Sequence, residues 1–156
     1  MNDEIRLREA GPDDLPVILD HRKAMFKDMG LTNEAGLDAM AAGSEAFLVQ
    51  ALADGRYRGW LAELPEGDVV AGGGLLIAPW LTHPQDPEPR RGEILNIYTE
   101  PAYRRRGLAR RLMQVMIDWC RDQGFPWITL HASEDGRALY ESLGFRPTNE
   151  MRLLLK

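Results

Sequence analysis

The chain has 156 residues, of which 44% are hydrophobic and 28% are charged. This is the size of one domain and the composition of an ordinary folded protein, which excludes disorder, collagen-like repeats and coiled coils as descriptions of the whole chain. The net charge of −5 argues against partners that are attracted by bulk positive charge, such as nucleic acid and anionic membranes. We therefore expect a single domain spanning residues 1–156.

The first half of the chain has the pattern of one strand, two helices and a hairpin. Apolar and basic side chains alternate at the start, and apolar positions then repeat at helical spacing. The turn sequence Pro65-Glu66-Gly67-Asp68 separates two strand-like stretches. The predicted strands are residues 5–8, 57–64 and 69–80, and the predicted helices are residues 14–29 and 34–53.

Three methionines of this half, Met25, Met29 and Met40, are interpreted first as core residues. If they line a pocket instead, an adaptable apolar substrate site between the first two helices follows. Residues 1–80 carry 7 basic and 14 acidic side chains, which favours a cationic acceptor if this half forms a wall of the site.

The second half has the pattern strand, helix, strand, helix, strand. It opens with a proline-rich segment, residues 81–92, which is the candidate for a loop on the substrate side. The predicted strands are residues 93–99, 127–133 and 151–155, and the predicted helices are residues 106–123 and 134–143. The whole order is β-α-α-β-β-β-α-β-α-β, an α/β fold in which a mixed sheet contains a parallel pair joined by a crossover helix.

Two features bear on localisation. Cys120 is the single cysteine, so the chain forms no internal disulfide and no thiolate cage for a metal, which favours the cell interior. The N-terminus does not resemble a signal peptide, and the longest apolar stretch, residues 69–81, is shorter than the roughly 20 residues that span a bilayer. These features predict a cytoplasmic protein without metal or membrane insertion.

An arginine-rich turn, residues 99–110 (TEPAYRRRGLAR), links the central strand to the long helix. Helix N-terminal N–H groups, the helix dipole and neighbouring guanidiniums favour phosphate oxygens, and Gly107 lacks the Cβ that would block close approach. The spacing of Arg104, Gly107 and Ala109 differs from the dinucleotide fingerprint and lacks the Lys-Ser/Thr end of a P-loop. The turn therefore predicts a phosphate site of another kind.

This turn resembles the acetyl-CoA pyrophosphate loop of the GNAT superfamily of N-acyltransferases, whose pattern is Gln/Arg-x-x-Gly-x-Gly/Ala. A second landmark of that family is Leu-Tyr-x-x-x-Gly-Phe, which residues 139–145 (LYESLGF) match. The two occur in the family's order, and the resemblance covers nearly the whole chain. It implies a GNAT fold, acetyl-CoA as the co-substrate and N-acetyltransferase activity without a metal.

The resemblance also implies roles for individual residues. Tyr140 would be the general acid for the leaving thiolate, the N–H of Ile97 would bind the thioester oxygen, and Glu93 would be the general base, directly or through water. The main chain of residues 97–99 would pair with the pantetheine arm as an added strand. The implied cofactor contacts are Ile97, Tyr98, Thr99, Arg104, Arg105, Arg106, Gly107, Leu108, Ala109, Arg110 and Ser133.

Two positions depart from the family pattern. Ser133 stands where many members have asparagine, seven residues before the tyrosine, and Gly136 stands where they often have alanine. A serine hydroxyl still reaches pantetheine, over a shorter distance. The departures leave the pyrophosphate site untouched.

Other interpretations of these residues stay open. Tyr140 fits a half-buried core position, and Glu93 fits a surface pair with Arg90 or Arg91. His131 is an alternative base, because neutral imidazole is available near pH 7, although a lone histidine on a strand is more often structural. The arginine run fits a solvated helix face.

We predict an N-acetyltransferase that moves an acetyl group to a primary amine of a small molecule or peptide by direct transfer in a ternary complex. The alternative is a non-catalytic acyl-CoA sensor that retains the phosphate site. Nucleic-acid binding through the arginines is opposed by the net charge. A monomer and a homodimer are both compatible with the sequence, and the acceptor and acyl preference stay open.

Overall fold

A computed structural model describes residues 4–156, whose strands form one five-stranded sheet. The strands are β1 (Arg6–Glu9), β2 (Tyr57–Glu63), β3 (Val69–Pro79), β4 (Arg90–Thr99) and β5 (Thr129–Leu130). The helices are α1 (Leu15–Asp28), α2 (Glu34–Asp54), α3 (Leu108–Asp122) and α4 (Glu134–Ser142), with single 3-10 turns at Pro12–Asp14 and Pro101–Tyr103. Within residues 4–156, no helix is long and apolar enough to cross a membrane.

The sheet is antiparallel from β1 to β4 and parallel at its far edge. The strands lie in the order β1-β2-β3-β4-β5, and only the β4–β5 pair is parallel. Helix α3 connects these two strands, because parallel neighbours need a long crossover. The predicted mixed α/β fold is confirmed, as are both predicted helices of the first half.

Helix α3 packs one apolar face against the sheet. Leu108, Leu112, Met113, Met116 and Cys120 recur at helical spacing on this face and are all buried. Burial raises the pKa of the Cys120 thiol to about 11, which keeps it a neutral core side chain. A second cluster lies beneath α1 and α2, where residues of both helices enclose the side chain of Tyr57 on β2.

Strand β5 is much shorter than the predicted strand at residues 127–133. Its ladder with β4 consists of the pairs Glu93–Thr129 and Ile94–Leu130. Beyond Ile94, β4 continues to Thr99 with no parallel partner among the described residues. The two chains separate at this point, so the hydrogen-bonded ladder ends although the sequence retains strand character.

The predicted final strand at residues 151–155 is wrong. Residues 145–156 have no regular secondary structure, and Met151, Leu153, Leu154 and Leu155 are 79 to 94% exposed. The apolar pattern has the propensity of a strand, but β5 offers only two residues of backbone for a neighbour to pair with. Propensity without a pairing edge does not form a strand.

Candidate functional site

A cleft of about 1070 Å³ opens where β4 and β5 separate. Its walls come from α1, β4, the N-terminal turn of α3 and the start of α4. The sequence-predicted site residues that line it are Glu93, Ile97, Tyr98, Thr99, Arg104, Arg105, Gly107, Leu108, Ala109, Arg110, Ser133 and Tyr140. The exception is Arg106, whose guanidinium lies over the ring of Tyr103 at 5.0 Å.

The proline-rich segment before β4 takes no part in this cleft. Residues 81–92, the last three of which belong to β4, are absent from its walls, so the assignment of this segment to the substrate side stays a prediction. The segment folds on itself instead, with paired backbone hydrogen bonds of 2.8 Å between His83 and Asp86. Strand β4 therefore begins at Arg90, three residues earlier than predicted.

A β-bulge interrupts β4 in the middle of the cleft. Leu95 pairs with Gly74 and Tyr98 pairs with Gly72, so Asn96 and Ile97 together oppose one residue of β3. Asn96 has a φ of 60°, a left-handed conformation that asparagine tolerates better than most residues. The bulge places Ile97 outside the regular ladder with β3. A backbone N–H must lie outside such a ladder to be available to a substrate.

The N-terminus of α3 presents unpaired backbone donors. Arg111 makes the first helical hydrogen bond, to the carbonyl of Gly107 at 3.1 Å. The N–H groups of residues 107–110 find no acceptor among the described residues, and no side chain caps this helix. Gly107 has a φ of 80°, and a Cβ built there meets nothing within 4 Å. The open space and the orphaned donors fit a diphosphate.

The arginines of the turn hold it in place as well as supplying charge. Arg104 donates to Asp28 at 2.6 Å and to the carbonyl of Thr99 at 2.8 Å, so it links α1 to the end of β4. Arg110 donates to the hydroxyl of Ser142 on α4 at 2.8 Å. Since the side chains of Arg104 and Arg110 have protein partners, the backbone N–H groups are the better-placed anion donors.

Tyr140 belongs both to the core and to the cleft wall. Tyr140 is only 9% exposed, and its ring packs edge-on against that of Phe145, with the ring centres 6.2 Å apart. Burial raises the pKa of the phenol above its usual value, because the charged phenolate is poorly solvated there. The phenol is therefore protonated at neutral pH, as a general acid must be.

Ser133 and Gly136 shape the turn of α4 beneath Tyr140. The Ser133 hydroxyl caps the helix by accepting from the Gly136 N–H at 3.2 Å, which leaves its own proton free for a ligand. A Cβ on Gly136 would lie 2.7 Å from Cε2 of Tyr140 and 3.1 Å from its hydroxyl oxygen. The departure from alanine at this position thus makes room for the phenol.

We expect Gly136→Ala to displace the Tyr140 ring and to lower kcat about tenfold, through partial loss of acid catalysis. Gly36→Ala is the matched control, since Gly36 is also the third residue of its helix and donates to the capping Asn33. Its added Cβ would meet Asn33 only at 3.8 Å. Steady-state kinetics check both variants, and equal effects would contradict this account of Gly136.

Glu93 and His131 form one unit. The Nδ1 of His131 lies 2.9 Å from a Glu93 carboxylate oxygen, and both residues line the cleft. The alternative surface partners are engaged elsewhere: Arg90 pairs with Glu88 at 2.6 Å, and Arg91 lies over Trp80. The two side chains that the sequence offered as competing bases are therefore adjacent.

Two further residues of the cleft were absent from the sequence-based prediction. Asn96 is buried in the bulge and bonded to Arg22, which reaches it from α1 at 2.7 Å. Arg22 lies four residues after Ile18 and four before Phe26, so it interrupts the apolar face of α1. That interruption is the signal that the sequence offered; no comparable signal marks the bulge at Asn96.

Comparison with known proteins points to one family. The model of the GNAT acetyltransferase family matches residues 24–145. The chain is 31% identical over 135 residues to the uncharacterized N-acetyltransferase YjgM of Escherichia coli, a match that covers 85% of this chain and 76% of that protein. Other curated relatives, including human N-acetyltransferase 8, are matched over only 39 to 59% of their own length.

Solved structures agree over nearly the whole chain. A GCN5-related N-acetyltransferase from Ralstonia eutropha is 37% identical, with a TM-score of 0.90 over 97% of this chain and 98% of that one. A predicted acetyltransferase from Clostridium acetobutylicum, solved with acetyl-CoA, is 25% identical, with a TM-score of 0.86 over 96% of this chain and 95% of that one.

Proposed function

The chain belongs to the GNAT acetyltransferase family, and from that premise we propose that it moves the acetyl group of acetyl-CoA to a primary amine of a small molecule or peptide. The proposed route is direct transfer in a ternary complex. One observation carries the proposal: the unpaired N–H groups of α3 and the protonated phenol of Tyr140 line the same cleft. Acetyl-CoA supplies the activated acetyl thioester.

Binding is proposed to begin at the arginine-rich turn. The N–H groups of residues 107–110 donate hydrogen bonds to the diphosphate, and the guanidiniums of Arg104, Arg105 and Arg110, which line the cleft, neutralise its charge. The edge of residues 97–99 that faces away from β3 pairs with the pantetheine arm, except at the carbonyl of Thr99, which Arg104 occupies. Ser133 offers its hydroxyl proton to the same arm.

The chemical step is proposed to use the bulge and the phenol together. The N–H of Ile97 stabilises the negative charge that develops on the acetyl oxygen, a contribution of about 3 kcal/mol by analogy with other oxyanion holes. Tyr140 donates its proton to the departing sulfur. Both groups are held by packed elements, β4 and α4, and little reorganisation is needed during the reaction.

Glu93 is proposed to accept the proton of the amine, directly or through water, with His131 as its partner. We expect Glu93→Gln and His131→Gln each to lower kcat about tenfold, and the double variant to lose little more than the worse single variant, because the pair acts as one unit. Glu150→Gln is the control: this carboxylate lies 3.7 Å from His131 on the other side of the ring, and its loss should cost less than twofold. Multiplicative losses in the double variant would contradict a shared role.

The proposed activity is tested by incubating the protein with acetyl-CoA and amines while free thiol is measured. The panel contains amino acids, polyamines, aminoglycosides and peptides with free N-termini. Amine-dependent thiol release is expected. If coenzyme A binds but no amine is acetylated, the protein is an acyl-CoA sensor instead. Stabilisation of the fold by coenzyme A, about 2.7 kcal/mol at a hundredfold excess over Kd, does not distinguish an enzyme from a sensor, because both bind it.

We further propose a cytoplasmic location and a single catalytic domain over residues 1–156. The single buried cysteine supports the location, and the net charge of −5 supports an acceptor other than nucleic acid. The oligomeric state is proposed as monomer or homodimer, and light scattering distinguishes them.

A further inference from the structure

A second, apolar cavity adjoins the cleft. Its volume is about 330 Å³, and it lies between α2 and the sheet. Four of its residues are shared with the main cleft, so the two spaces meet at Arg22, Leu76, Leu95 and Asn96. The other lining residues are Ala39, Met40, Gly43, Ser44, Phe47, Leu48 and Tyr57.

The wall of this cavity contains one charged side chain, Arg22, and no carboxylate. The acidic residues of the first half of the chain, which favoured a cationic acceptor, do not line it. Met40 does, while Met25 and Met29 line the main cleft, so the alternative reading of the methionines as pocket residues is the one that the structure supports. The cavity therefore suits an apolar part of a ligand, which would lie next to the positive charge of Arg22.

Within residues 4–156, the guanidinium of Arg22 has no anionic partner. Its one hydrogen bond to a described residue goes to Oδ1 of Asn96 at 2.7 Å, and it lies 4.9 Å from the centre of the Phe26 ring. No carboxylate of residues 4–156 comes within 4.0 Å of it. Partial burial lowers the pKa of Arg22, so its charge is held at a cost in solvation.

A network fixes this guanidinium in place. Asn96 accepts from Arg22 and donates through Nδ2 to the hydroxyl of Tyr57 at 3.0 Å. One hydrogen bond leaves most of the five guanidinium donors uncommitted at the junction of the two cavities. A preorganised fork of donors of this kind matches a carboxylate in two-point contact.

We infer that the acceptor amine bears a carboxylate that Arg22 binds and an apolar group that enters the second cavity. The inference rests on the proposed acetyl transfer and names its substrate class: an apolar amino acid. Glu93 and Leu95 lie two residues apart on β4, about 7 Å along the strand. Arg22, Glu93 and Leu95 all line the main cleft, so an amine held at Glu93 can present other atoms of the same molecule to Leu95 and Arg22.

The test compares amines that differ only in the carboxylate: L-leucine against 3-methylbutylamine, and L-methionine against 3-(methylthio)propylamine. We expect wild-type kcat/KM to favour each amino acid by at least tenfold, the factor typical of a charged hydrogen bond. Arg22→Gln should remove this preference by raising KM for the amino acids alone. Arg121→Gln is the matched control, because Arg121 pairs with Asp118 on the exposed face of α3.

Each result decides one question. Equal use of both members of a pair by the wild type, or an equal loss for both in Arg22→Gln, overturns the inference and leaves acetyl transfer intact. A preference for O-phosphoethanolamine over ethanolamine that exceeds the carboxylate preference also overturns it, in favour of a phosphate. Circular dichroism and the Kd for coenzyme A confirm that the variant is folded.

Failure of the proposed function gives a different result. If no amine in the panel releases thiol, calorimetry of L-leucine against the coenzyme A complex still tests the site. Binding to the wild type and at least tenfold weaker binding to Arg22→Gln would support the carboxylate site in a non-catalytic protein. No binding to either would overturn it.

Discussion

Replacing Tyr140 by phenylalanine is expected to lower kcat by about 10² to 10³-fold, the range of a lost general acid. Coenzyme A should still bind with its wild-type affinity, because the proposed binding mode puts the phenol at the sulfur end of the cleft and the diphosphate at the N-terminus of α3. The ring itself is retained, so its edge-on contact with Phe145 survives. Steady-state kinetics with calorimetry of coenzyme A separate the two effects.

The pH profile provides an independent readout of this role. Burial raises the pKa of the Tyr140 phenol above its usual value near 10, and only the protonated form donates. Wild-type activity should therefore persist through pH 9 and fall only above pH 10. The residual activity of Tyr140→Phe should lack this alkaline fall. A variant with wild-type kcat and an unchanged profile would remove Tyr140 from the mechanism.

Replacing Gly107 by alanine is expected to weaken coenzyme A binding about 100-fold, equivalent to losing one or two charged hydrogen bonds. The added Cβ would occupy the open space in which we propose that the diphosphate meets the N–H groups of α3. The left-handed φ of 80° also costs the variant roughly 1–2 kcal/mol of stability. Isothermal titration calorimetry with coenzyme A measures the affinity.

Gly124 supplies the matched control at the other end of α3. It has a φ of 84° and equally open surroundings, so Gly124→Ala carries the same backbone strain. Both variants should melt at similarly reduced temperatures, and only Gly107→Ala should lose affinity. If the two bind coenzyme A equally well, the diphosphate does not lie at the N-terminus of α3, and the proposed binding mode fails.

The parts of the fold that were predictable from sequence are those set by local pattern. Helix α3 follows from apolar residues at helical spacing, and the hairpin of β2 and β3 follows from its turn sequence. The failures concern pairing between distant segments. The length of β5 depends on where β4 diverges from it, and residues 151–155 have no strand edge to pair with. Neither fact can be predicted from the local sequence.

The site divides in the same way. The arginine-rich turn and the tyrosine of α4 are contiguous motifs that resemble the landmarks of the GNAT family, and this resemblance predicted that both line one cleft, as they do. The contact of Glu93 with His131 joins residues 38 positions apart through the β4–β5 ladder. The bulge at Asn96 depends on the register between β4 and β3. Arg22 can be recognised as a site residue only from its hydrogen bond to Asn96 in that bulge.

The Arg104–Asp28 ion pair connects α1, on the proposed acceptor side of the cleft, to the turn before α3, on the proposed coenzyme A side. Asp28 ends the helix that carries Arg22, and Arg104 belongs to the turn proposed for the diphosphate. Both side chains of this pair are nearly half exposed, so ions screen it and its worth is at most about 1 kcal/mol. Rising ionic strength should weaken this ion pair, so the affinity for the acceptor and the affinity for coenzyme A should change in the same direction.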